Sequence, residues 1–580
     1  MTEFEIHEVF AKNGSPIIKI NDYYVHSKYN PIKEAEKYVE KHYRPHNLQI
    51  IFGYGSGYLI DALLEFQKHD ELILLIDPLL DRGEIQALKK HFNILNVKTA
   101  DISCMEDILI NLNTEVRTTF NIFCTNNYDK LFPEQYKELL QKIRNIQEAN
   151  RVNDNTLVLF AEKWQENLAW NLNYMDKDAS IEVLKKRYSA PVIIASSGPS
   201  LLKQLPILKM YREQVILISA GSTTNVLLKN DIKPDFIVTI DGGEANYNHF
   251  KNLTISESKL IYSFQNHPKI RKSFDDQAFI CNLIGHAHVN NYVNEFLNHT
   301  IPELLAGSTV ANLSFSVAQY ISTGPIAFIG QDLAFTDNLS HVKGHNHVET
   351  INEDIAKKKE LVQVEGYFGG KIMTSASMNS MRLAFERMIL VQPPTNKFFN
   401  CTEGGAKIKG YEQLEFKTFC EIHISNKEQF RLRLSEKYPS IIESNIIIKQ
   451  FKRDLEKAEK LVDLYESARS ILNKDKSLNK FKASTLRKLD ALDEEISPLL
   501  NELPVDHILM PTVLAVGTQY LEKHEETPNQ KFDRVKKQNL KFYEGSLKAV
   551  KKFCTFVEKA LENKEKECVD KNGKRNVGNY

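Results

Sequence analysis

The feature that most constrains the fold is a series of three short apolar runs between residues 191 and 240, each followed by small or acidic residues. Runs of this length that are rich in Val and Ile are typical of buried strands. Helical segments at 201–212 and 223–230 separate them, and this alternation predicts a βαβαβ unit with a parallel sheet. The runs and the residues that follow them are Pro191–Ala195 with Ser196–Leu201, Val215–Ile218 with Ser219–Ser222, and Asp235–Ile240 with Asp241–Glu244.

The ends of these predicted strands carry the residue types of a ligand site. In parallel sheets ligands bind beyond the carboxyl ends of the strands, and a helix N-terminus there attracts phosphate. In Ser197–Ser200, Gly198 permits unusual backbone angles and Pro199 suits a first helical turn. Ordinary strand-to-helix turns use the same residues, so one such turn carries little information. Three in succession, the last ending in Asp241, favour a binding crevice.

A later part of the chain extends this pattern. Gly307-Ser-Thr309 precedes an apolar helical segment at 310–321 that has Asn312 in its first turn. Pro325–Ile329 then predicts a buried strand that ends in Gly330-Gln-Asp332. The segment Ser340-His-Val-Lys-Gly-His345 follows, and it contributes two histidines.

These motifs, in this order, resemble those of the motility accessory factor (Maf) flagellin glycosyltransferases. The resemblance covers most of the chain, including Ser219–Asp241 and Cys401-Thr-Glu-Gly-Gly405. The core at 191–345 is also similar to bacterial sialyltransferases that use CMP-sialic acid. The resemblance implies transfer of a nonulosonic acid, of the pseudaminic or legionaminic type, from its CMP conjugate to Ser or Thr of flagellin. It implies no cofactor beyond this donor, with Mg²⁺ as an optional addition.

Such a transfer needs a phosphate cradle, a base for the acceptor hydroxyl and exclusion of water. A neutral histidine is well matched to proton removal near pH 7. The sialyltransferase motif indicates His345 as the base and the Maf pattern indicates His341, so both stay candidates. Asp332 is expected to position the sugar or the acceptor, or to orient a histidine.

The predicted strand ends and the family resemblance together give a larger set of candidate binding residues. Glu403, which follows the predicted last strand at 398–401, is expected in the acceptor or sugar pocket. No metal site is predicted, because His286 and His288 lack further ligands nearby. The residues expected to bind the sugar nucleotide are Ser197, Gly198, Pro199, Ser200, Ser219, Gly221, Asp241, Gly242, Glu244, Gly307, Ser308, Thr309, Asn312 and Gln331.

The chain departs from the sialyltransferase pattern at three places. Phe335 and Thr336 occupy the region where those enzymes carry phosphate-binding tyrosines. Ser197 stands where they have an Asn, and the interval from Asp332 to His345 is shorter than theirs. These differences leave both the base and the phosphate donors open.

Charge and cysteine content exclude several classes of protein. Lys plus Arg and Asp plus Glu both number 75, so there is no electrostatic case for binding nucleic acid or an anionic membrane. The 7 cysteines are scattered without a C-x-x-C pair, which favours reduced thiols and a cytoplasmic protein. The N-terminus lacks the pattern of a signal peptide, and no apolar run approaches membrane-spanning length.

The 580 residues are expected to form a Rossmann-like N-terminal domain (1–160), a central sialyltransferase-like domain with a parallel sheet, a GT-A variant (161–425), and an all-helical C-terminal domain (426–580). In the first, a strand at 48–52 runs into Gly53-Tyr-Gly-Ser-Gly57, and the next strand ends at Asp77. This is a dinucleotide or S-adenosylmethionine fingerprint. Pro78 after the acid favours a vestigial or partner-binding domain instead.

Helical periodicity extends over several long segments. One helix is predicted at 157–188, linking the first two domains. In the C-terminal domain helices are predicted at 440–472, 482–503 and 531–561, followed by a loose polar tail at 562–580.

Two further functions remain open at the level of the sequence. Archaeal hydroxymethyl-dihydropterin pyrophosphokinases look similar across the Gly-Pro-Ser-Leu core, and such an enzyme would use ATP and Mg²⁺ with Asp241 and Asp332 as metal ligands. Alternatively, the chain is a flagellin-binding assembly factor without turnover, with the helical C-terminal domain as the surface that binds the partner.

Overall fold

A computed structural model describes residues 4–45, 47–66, 72–79, 97–100, 119–342, 350–351, 361–391, 393–424, 436–522 and 526–577. The chain divides into two compact units. The first comprises Met1–Thr156, Leu478–Lys480 and Gly517–Val535, and the second comprises Leu157–Ser477, Phe481–Val516 and Lys536–Tyr580. Within the described ranges no helix has both the length and the apolar character needed to cross a membrane.

The first unit contains a four-stranded parallel sheet of the predicted Rossmann-like type, in the order β6-β5-β4-β7. A separate antiparallel sheet is formed by β1, β2 and β3. The strands are β1 (Ile6–Phe10), β2 (Pro16–Ile20), β3 (Tyr23–Tyr24), β4 (Leu48–Phe52), β5 (Ile73–Ile76), β6 (Val97–Ala100) and β7 (Phe120–Cys124). Helices in this part of the chain are Pro31–His42, Tyr58–Phe66, Tyr128–Leu131 and the start of Pro133–Leu172.

The second unit is built on a nine-stranded sheet in which every neighbouring pair is parallel. The strand order is β20-β19-β16-β9-β10-β11-β12-β13-β8. The strands of this unit are β8 (Ala179–Ser180), β9 (Val192–Ala195), β10 (Ile216–Ala220), β11 (Phe236–Thr239), β12 (Lys259–Tyr262), β13 (Phe279–Ile280), β14 (Asn282–Leu283), β15 (Glu303–Leu304), β16 (Ile326–Ile329), β17 (Val362–Glu365), β18 (Lys371–Thr374), β19 (Phe398–Asn400) and β20 (Glu412–Gln413).

The apolar character of the central strands follows from burial on both faces. In β9 side chains alternate between two cores, as a period of two requires. Val192 and Ile194 lie in one core with the helix Val310–Ile321, and Ile193 and Ala195 lie in the other with the helix Leu201–Tyr211. Parallel sheets covered by helices on both faces are typically built from such continuous apolar runs.

Strand β9 lies where the direction of the sheet reverses. From β9 the chain proceeds through β10, β11 and β12 to one side, and it returns at β16 to add β19 and β20 on the other. Because β9 pairs with both β10 and β16, a topological switch point lies between β9 and β16. Ligand crevices in open parallel sheets form at such points, outside the carboxyl ends of the strands.

The helices predicted at 201–212, 223–230 and 310–321 are confirmed within one or two residues, and β17 and β18 form an antiparallel hairpin. Four helices were not predicted, namely Glu244–Phe250, Pro268–Lys272, Ala287–Leu297 and Phe416–His423. The helices around the large sheet are Leu201–Tyr211, Thr223–Lys229, Glu244–Phe250, Pro268–Lys272, Ala287–Leu297, Val310–Ile321, Ala376–Val391 and Phe416–His423.

The prediction of a helix at 157–188 is wrong at both ends. One continuous helix runs from Pro133 to Leu172, and the chain then turns so that Ala179–Ser180 forms edge strand β8. The side chain of Asp178 stabilises this exit, because its carboxylate accepts hydrogen bonds from Arg271 Nε (2.7 Å) and the Ala278 amide (3.1 Å). These partners are about 100 residues away, so helical periodicity carries no sign of them.

The C-terminal region is helical, as predicted. Its helices are Ser444–Lys474, Ala483–Glu502, Asp506–Gln519 and Pro528–Val577. The helix Asp506–Gln519 was not predicted, and its internal Pro511 explains why. The division into three domains at residues 160 and 425 stays a prediction, and residues 425–435 lie outside the described ranges.

The predicted loose tail is wrong for residues 562–577, which continue the last helix to Val577. Lys564 is 0% exposed, and its ammonium lies 2.7 Å from Asp176 Oδ1 and donates to the carbonyl of Asn173 at 2.6 Å. Glu567 forms an ion pair with Lys177 at 2.9 Å. The polar composition of this segment therefore reflects buried and half-buried ion pairs with the core of the second unit.

Candidate functional site

At the switch point, where a parallel sheet forms its ligand crevice, the ends of β9 and β16 are in direct contact. The amide of Ser196 donates to the carbonyl of Ile329 at 3.0 Å, and the amide of Gly198 donates to the carbonyl of Gly330 at 2.7 Å. A Cβ atom on Gly198 would lie 2.0 Å from Asp332 Oδ2 and 2.4 Å from Gly330 O. Only glycine fits there, which explains the Ser-Gly-Pro-Ser sequence in terms of packing between β9 and β16.

Asp332 connects three segments beneath this crevice. It is 2% exposed, and its carboxylate accepts hydrogen bonds from the hydroxyl of Ser200 (2.7 Å) and from the hydroxyl of Thr336. Its carbonyl accepts from the amide of Ala406 at 2.7 Å. Burial raises the pKa of Asp332 to about 6, and the hydrogen bonds from Thr336 and Ser200 oppose this increase. These contacts hold the Asp332 side chain in place, and its role towards a substrate stays a prediction.

The segment Ser197–Ser200 borders the crevice and leads directly into the helix Leu201–Tyr211. Ser197, Gly198 and Pro199 are half-buried, whereas Ser200 is buried and its hydroxyl is bonded to Asp332. The amides of Gly198 and Leu201 are bonded to backbone carbonyls, and that of Ser200 is bonded to the Asp332 carboxylate. A phosphate at this point would therefore meet the side chain of Ser197 and the positive end of the helix dipole.

His341 is brought to this crevice by its neighbour in the chain. The amide of Val342 donates to the carbonyl of Ser197 at 2.9 Å, and the side chain of Val342 is fully buried. His341 itself is half-buried, and its Nδ1 lies 3.1 Å from the hydroxyl of Ser340. The other candidate base, His345, lies outside the described residues.

The second set of predicted donors lies at the end of the neighbouring strand β10. A Cβ atom on Gly221 would lie 3.8 Å from the side chain of Val310, the first residue of its helix. Thr309 caps this helix: its hydroxyl accepts from the amide of Asn312 (3.2 Å) and donates to Asn312 Oδ1 (2.9 Å). Ser308 is exposed beside this cap, so its hydroxyl is accessible to a ligand.

Several of the predicted residues around this second set make structural contacts. Gly307 has a φ of +59° and packs over the buried side chain of Asn312. The hydroxyl of Ser219 lies 2.9 Å from that of Thr224, within the turn after β10. These side chains shape the turns in which they lie, and their part in nucleotide binding stays a prediction.

The residues after β11 lie farther along the same edge of the sheet. Asp241 is exposed to solvent, yet the surrounding protein raises the pKa of its carboxyl by desolvation. The carbonyl of Gly242 accepts from Asn167 Nδ2 at 3.1 Å. Glu244 accepts from His267 Nε2 at 2.9 Å, and this hydrogen bond lowers the pKa of Glu244. Both carboxylates are exposed, and that of Glu244 is engaged by His267.

Two predicted residues are occupied by contacts within the protein. The side-chain oxygen of Gln331 accepts from the hydroxyl of Ser196 at 2.5 Å, and the backbone amide of Gln331 donates to Thr402 Oγ1 at 3.2 Å. Glu403 Oε1 accepts from the amide of Phe416 at 2.8 Å, at the start of the helix Phe416–His423. The role of Glu403 in an acceptor pocket stays a prediction.

Sequence reasoning missed several residues that build this edge of the sheet. Gln204 accepts from the amide of Gly330 at 3.0 Å, one turn into the helix that follows β9. Asn167 and Asn171, four residues apart on one helix face, donate to loop carbonyls after β11 and β12. The sequence did indicate these contacts, because two Asn four residues apart interrupt a helix face that is otherwise apolar.

In the glycine-rich turn of the first unit, side chains of the protein itself bond to the backbone amides. The amide of Tyr54 donates to Asp77 Oδ2 at 2.5 Å, and the amide of Ser56 donates to His26 Nε2 at 2.7 Å. Burial lowers the pKa of His26 to about 4, so the ring is neutral and accepts this hydrogen bond near pH 7. The turn amides that would bind a phosphate and the Asp77 carboxylate that would bind a ribose are thus bonded within the protein. This supports the interpretation of the first unit as a vestigial nucleotide-binding domain.

Metal ligands are not clustered in the part of the chain that the structure describes: no group of three or more His, Cys, Asp or Glu side chains is arranged to hold an ion. Asp332 follows β16 and Asp241 follows β11, and these strands are three positions apart in the sheet. At about 4.8 Å per strand this separation is about 14 Å. One Mg²⁺ ion with ligands at about 2.1 Å does not bridge both carboxylates.

Comparison with known proteins agrees with this architecture. A solved structure described as a MAf glycosyltransferase from Magnetospirillum magneticum AMB-1 superimposes with a TM-score of 0.56 at 16% identity, covering 97% of this chain and 92% of that one. The chain has a Maf-type fold. A family model described as "6-hydroxymethylpterin diphosphokinase MptE-like" matches residues 166–338, which fall within the second unit. No curated protein matches the sequence. The predicted resemblance to Maf proteins is therefore confirmed at the level of the fold.

Proposed function

We propose that this chain is a glycosyltransferase that uses a nucleotide-activated sugar. The observation that carries the proposal is the crevice between β9 and β16 in a Maf-type fold, where the Ser197 turn, the start of a helix and the His341 segment meet. This arrangement places the Ser197 hydroxyl and the positive end of a helix dipole, which favour a phosphate, beside a candidate base. It is the combination that transfer from a sugar nucleotide requires.

The finer proposal concerns the donor and the acceptor. The donor is the CMP conjugate of a nonulosonic acid, and the acceptor is a Ser or Thr hydroxyl of flagellin in the cytoplasm. This choice is supported by the Maf-type fold and by the order of the motifs around Ser197, Gly307 and Asp332. The scattered cysteines, which are free thiols at all six described positions, agree with a reducing compartment.

In the proposed reaction the acceptor oxygen attacks the anomeric carbon of the sugar. The bond from this carbon to the phosphate oxygen breaks, and CMP leaves with the electron pair. His341 or His345 takes the proton of the acceptor hydroxyl. The dipole of the helix Leu201–Tyr211, with its positive end at this point, stabilises the leaving phosphate by about 0.3–1 kcal/mol per favourable charge.

A calorimetric panel tests the ligand class. We expect CMP to bind without a metal ion, and ATP and S-adenosylmethionine not to bind with or without Mg²⁺. CMP binding would justify a transfer assay with flagellin, read as a gain in the intact mass of the acceptor. Flagellin that binds without any gain in mass would instead indicate a non-catalytic assembly factor.

The base is tested by alanine substitutions of His341 and His345, singly and together. The double variant should lose transfer and keep CMP affinity, since a base acts on the acceptor. His299→Ala is the matched control, because His299 is exposed and pairs with Glu182 on the surface. Full transfer by the double variant would refute this assignment of the base.

A pterin-type pyrophosphokinase is the second candidate, and the match of residues 166–338 to the MptE-like family favours it. Such an enzyme would bind ATP with Mg²⁺. The separation of Asp241 from Asp332 argues against the pair of metal ligands that this function predicts from the sequence. ATP binding that depends on Mg²⁺, without CMP binding, would decide for this alternative.

A further inference from the structure

The short segment that carries His341 is held by main-chain contacts on both sides. Before it, the amide of Leu339 donates to the carbonyl of Thr336 at 3.0 Å. After it, the amide of Val342 donates to the carbonyl of Ser197 at 2.9 Å. These bonds fix the backbone around His341 beside the turn that follows β9. The orientation of the His341 ring is then a matter of its side-chain contacts.

Asp332 is not the residue that orients this ring. Its Oδ2 accepts from the hydroxyl of Ser200 at 2.7 Å, and its Oδ1 accepts from the hydroxyl of Thr336. Among the residues that the structure describes, no hydrogen bond joins Asp332 to His341. Asp332 reaches the histidine segment only through Thr336, whose carbonyl holds the amide of Leu339.

The side chain that contacts the His341 ring is that of its neighbour, Ser340. Ser340 Oγ lies 3.1 Å from His341 Nδ1. Ser340 is 7% exposed, whereas His341 is half-buried. Buried side-chain hydroxyls are nearly always hydrogen-bonded, because water is not there to replace a lost partner. The contact between Ser340 and His341 is therefore a hydrogen bond that the fold protects from solvent on the serine side.

The length of this bond indicates which atom donates. N–H donors make bonds of about 2.7–3.2 Å to oxygen, whereas hydroxyl donors make shorter ones of about 2.5–3.0 Å. The observed 3.1 Å agrees with donation from Nδ1–H of His341 to the oxygen of Ser340. A neutral imidazole carries one hydrogen, so its Nε2 then holds the lone pair.

We propose that Ser340 is a positioning residue, which selects the Nδ1–H tautomer of His341 and so makes Nε2 of this ring the base of the transfer reaction. The inference rests on the proposed function and deepens it, because it assigns the base to His341. A base that is oriented by a third group is a common arrangement in sites that activate a hydroxyl. In the opposite tautomer Nε2 already carries a hydrogen and accepts no proton.

The proposed step balances with these atoms alone. The acceptor oxygen forms its bond to the anomeric carbon, and CMP leaves with the electron pair of the broken bond between this carbon and the phosphate oxygen. The proton of the acceptor hydroxyl passes to Nε2 of His341. The ring is then an imidazolium, and its Nδ1–H still donates to Ser340. Release of the Nε2 proton to water restores the neutral ring.

The tautomer is measured directly on the full chain, without a substrate. Long-range ¹H–¹⁵N spectra of protein labelled with ¹⁵N-histidine distinguish the two tautomers, and the signals missing from His341→Ala identify this ring. At about pH 8.5, where an ordinary histidine is neutral, we expect the Nδ1–H tautomer in the wild-type protein. Ser340→Ala should shift the ring towards the Nε2–H tautomer. An Nε2–H tautomer in the wild-type protein would overturn the proposal, whether or not any variant folds.

Transfer kinetics test the consequence for the reaction. Ser340→Ala should lower kcat about tenfold, since one orienting hydrogen bond is lost, and leave the KM for the acceptor and the CMP affinity unchanged. Ser340→Thr keeps the hydroxyl and should restore most of the rate. Ser258→Ala is the matched control. Its serine is 4% exposed and donates to the carbonyl of Pro234 at 2.7 Å, at the amino end of β12.

Two kinetic results would contradict the proposal. A kcat of Ser340→Ala equal to that of the wild-type protein would show that the base needs no help from Ser340, and would favour His345. A loss of kcat together with a loss of CMP affinity, in both Ser340 variants, would reduce Ser340 to a structural role.

Failure of the proposed function would look different. In that case CMP would not bind in the calorimetric panel and the acceptor would gain no mass, while His341 would still show an Nδ1–H tautomer that depends on Ser340. Conversely, CMP binding and transfer with an Nε2–H tautomer at His341 would remove this inference alone.

Discussion

At the scale of single residues, Asp332 shows how a buried carboxylate holds a binding crevice in place. Its side chain receives the hydroxyls of Ser200 and Thr336, and its carbonyl receives the amide of Ala406. The sequence predicted Asp332 at the end of a strand and therefore close to the proposed ligand site. Its partners, which come from three separate segments, give it the role of organising the crevice.

The raised pKa of Asp332 predicts a pH dependence of stability. Its pKa is about 6 in the folded protein, against about 3.9 for an unfolded Asp. Between these values the folded state keeps a proton that the unfolded state has lost. The contribution is therefore fully present below about pH 4 and is lost as the pH rises through about 6, a change of about 3 kcal/mol. Urea unfolding at pH 4, 5.5 and 7 measures it.

Comparison with Asp332→Asn isolates this contribution from the other carboxyl groups. Relative to the variant, the wild-type protein should lose stability between pH 4 and 7. Asp337→Asn is the control, since Asp337 is on the surface in an ion pair with Lys203 and its side chain is 70% exposed. An equal difference between wild type and Asp332→Asn at all three pH values would contradict the prediction.

At the scale of elements, the turn between β9 and its helix depends on close approach of the backbone. A side chain at Gly198 would overlap both Asp332 and the carbonyl of Gly330. The Gly198→Ala variant should therefore displace the Ser197 turn from β16 and lower CMP affinity by more than about tenfold, measured by calorimetry.

The matched control for this substitution is Gly517→Ala. Gly517 lies in the helix Asp506–Gln519, and an added Cβ there meets no atom within 4 Å. This control should keep CMP affinity and gain about 0.5–1 kcal/mol of stability from the higher helix propensity of alanine. Normal CMP binding by Gly198→Ala would show that the turn does not form the nucleotide site.

The last helix provides a second prediction at this scale. Replacing buried Lys564 by Met leaves Asp176, which is 4% exposed in its side chain, without its close cation. Such a loss costs about 3–5 kcal/mol, seen as a lower urea midpoint. Lys559→Met, on an exposed position of the same helix, should change the midpoint little. Equal midpoints for the two variants would mean that the end of this helix contributes no stability.

At the scale of the whole molecule, the two units carry two parallel sheets, each with a small-residue turn after a central strand. His26 and Asp77 engage amides of the turn in the first unit, whereas the turn of the second unit lies at the switch point beside β16, where the nucleotide is proposed to bind. We therefore expect CMP to reduce amide hydrogen exchange at 196–203, 219–224 and 307–313, and not at 53–58. Mass spectrometry of exchange on the intact chain measures both regions.

Protection at 53–58 would show that the N-terminal turn also binds a nucleotide. His26→Ala serves as the control, because it frees the amide of Ser56 without touching the second unit's crevice. That variant should show the same CMP protection at 196–203 as the wild-type protein.

Local patterns in the sequence determined the elements and much of their chemistry. The Val- and Ile-rich runs, the glycine and proline positions and the helical periodicities predicted the central strands of the large sheet, several of its helices and the class of fold, but not the edge strands β8 and β20. The reason is physical, since strands buried on both faces must be apolar and turns that approach another backbone closely need glycine. The crevice residues around Ser197 and Gly307 were predicted on the same grounds.

The tertiary structure decided what depends on partners distant in the chain. The helix exit at Leu172 depends on the contact of Asp178 with Arg271, and the helical tail depends on Lys564 beside Asp176. The placement of Asp332 under Ser200 follows from the strand order, which brings β16 beside β9.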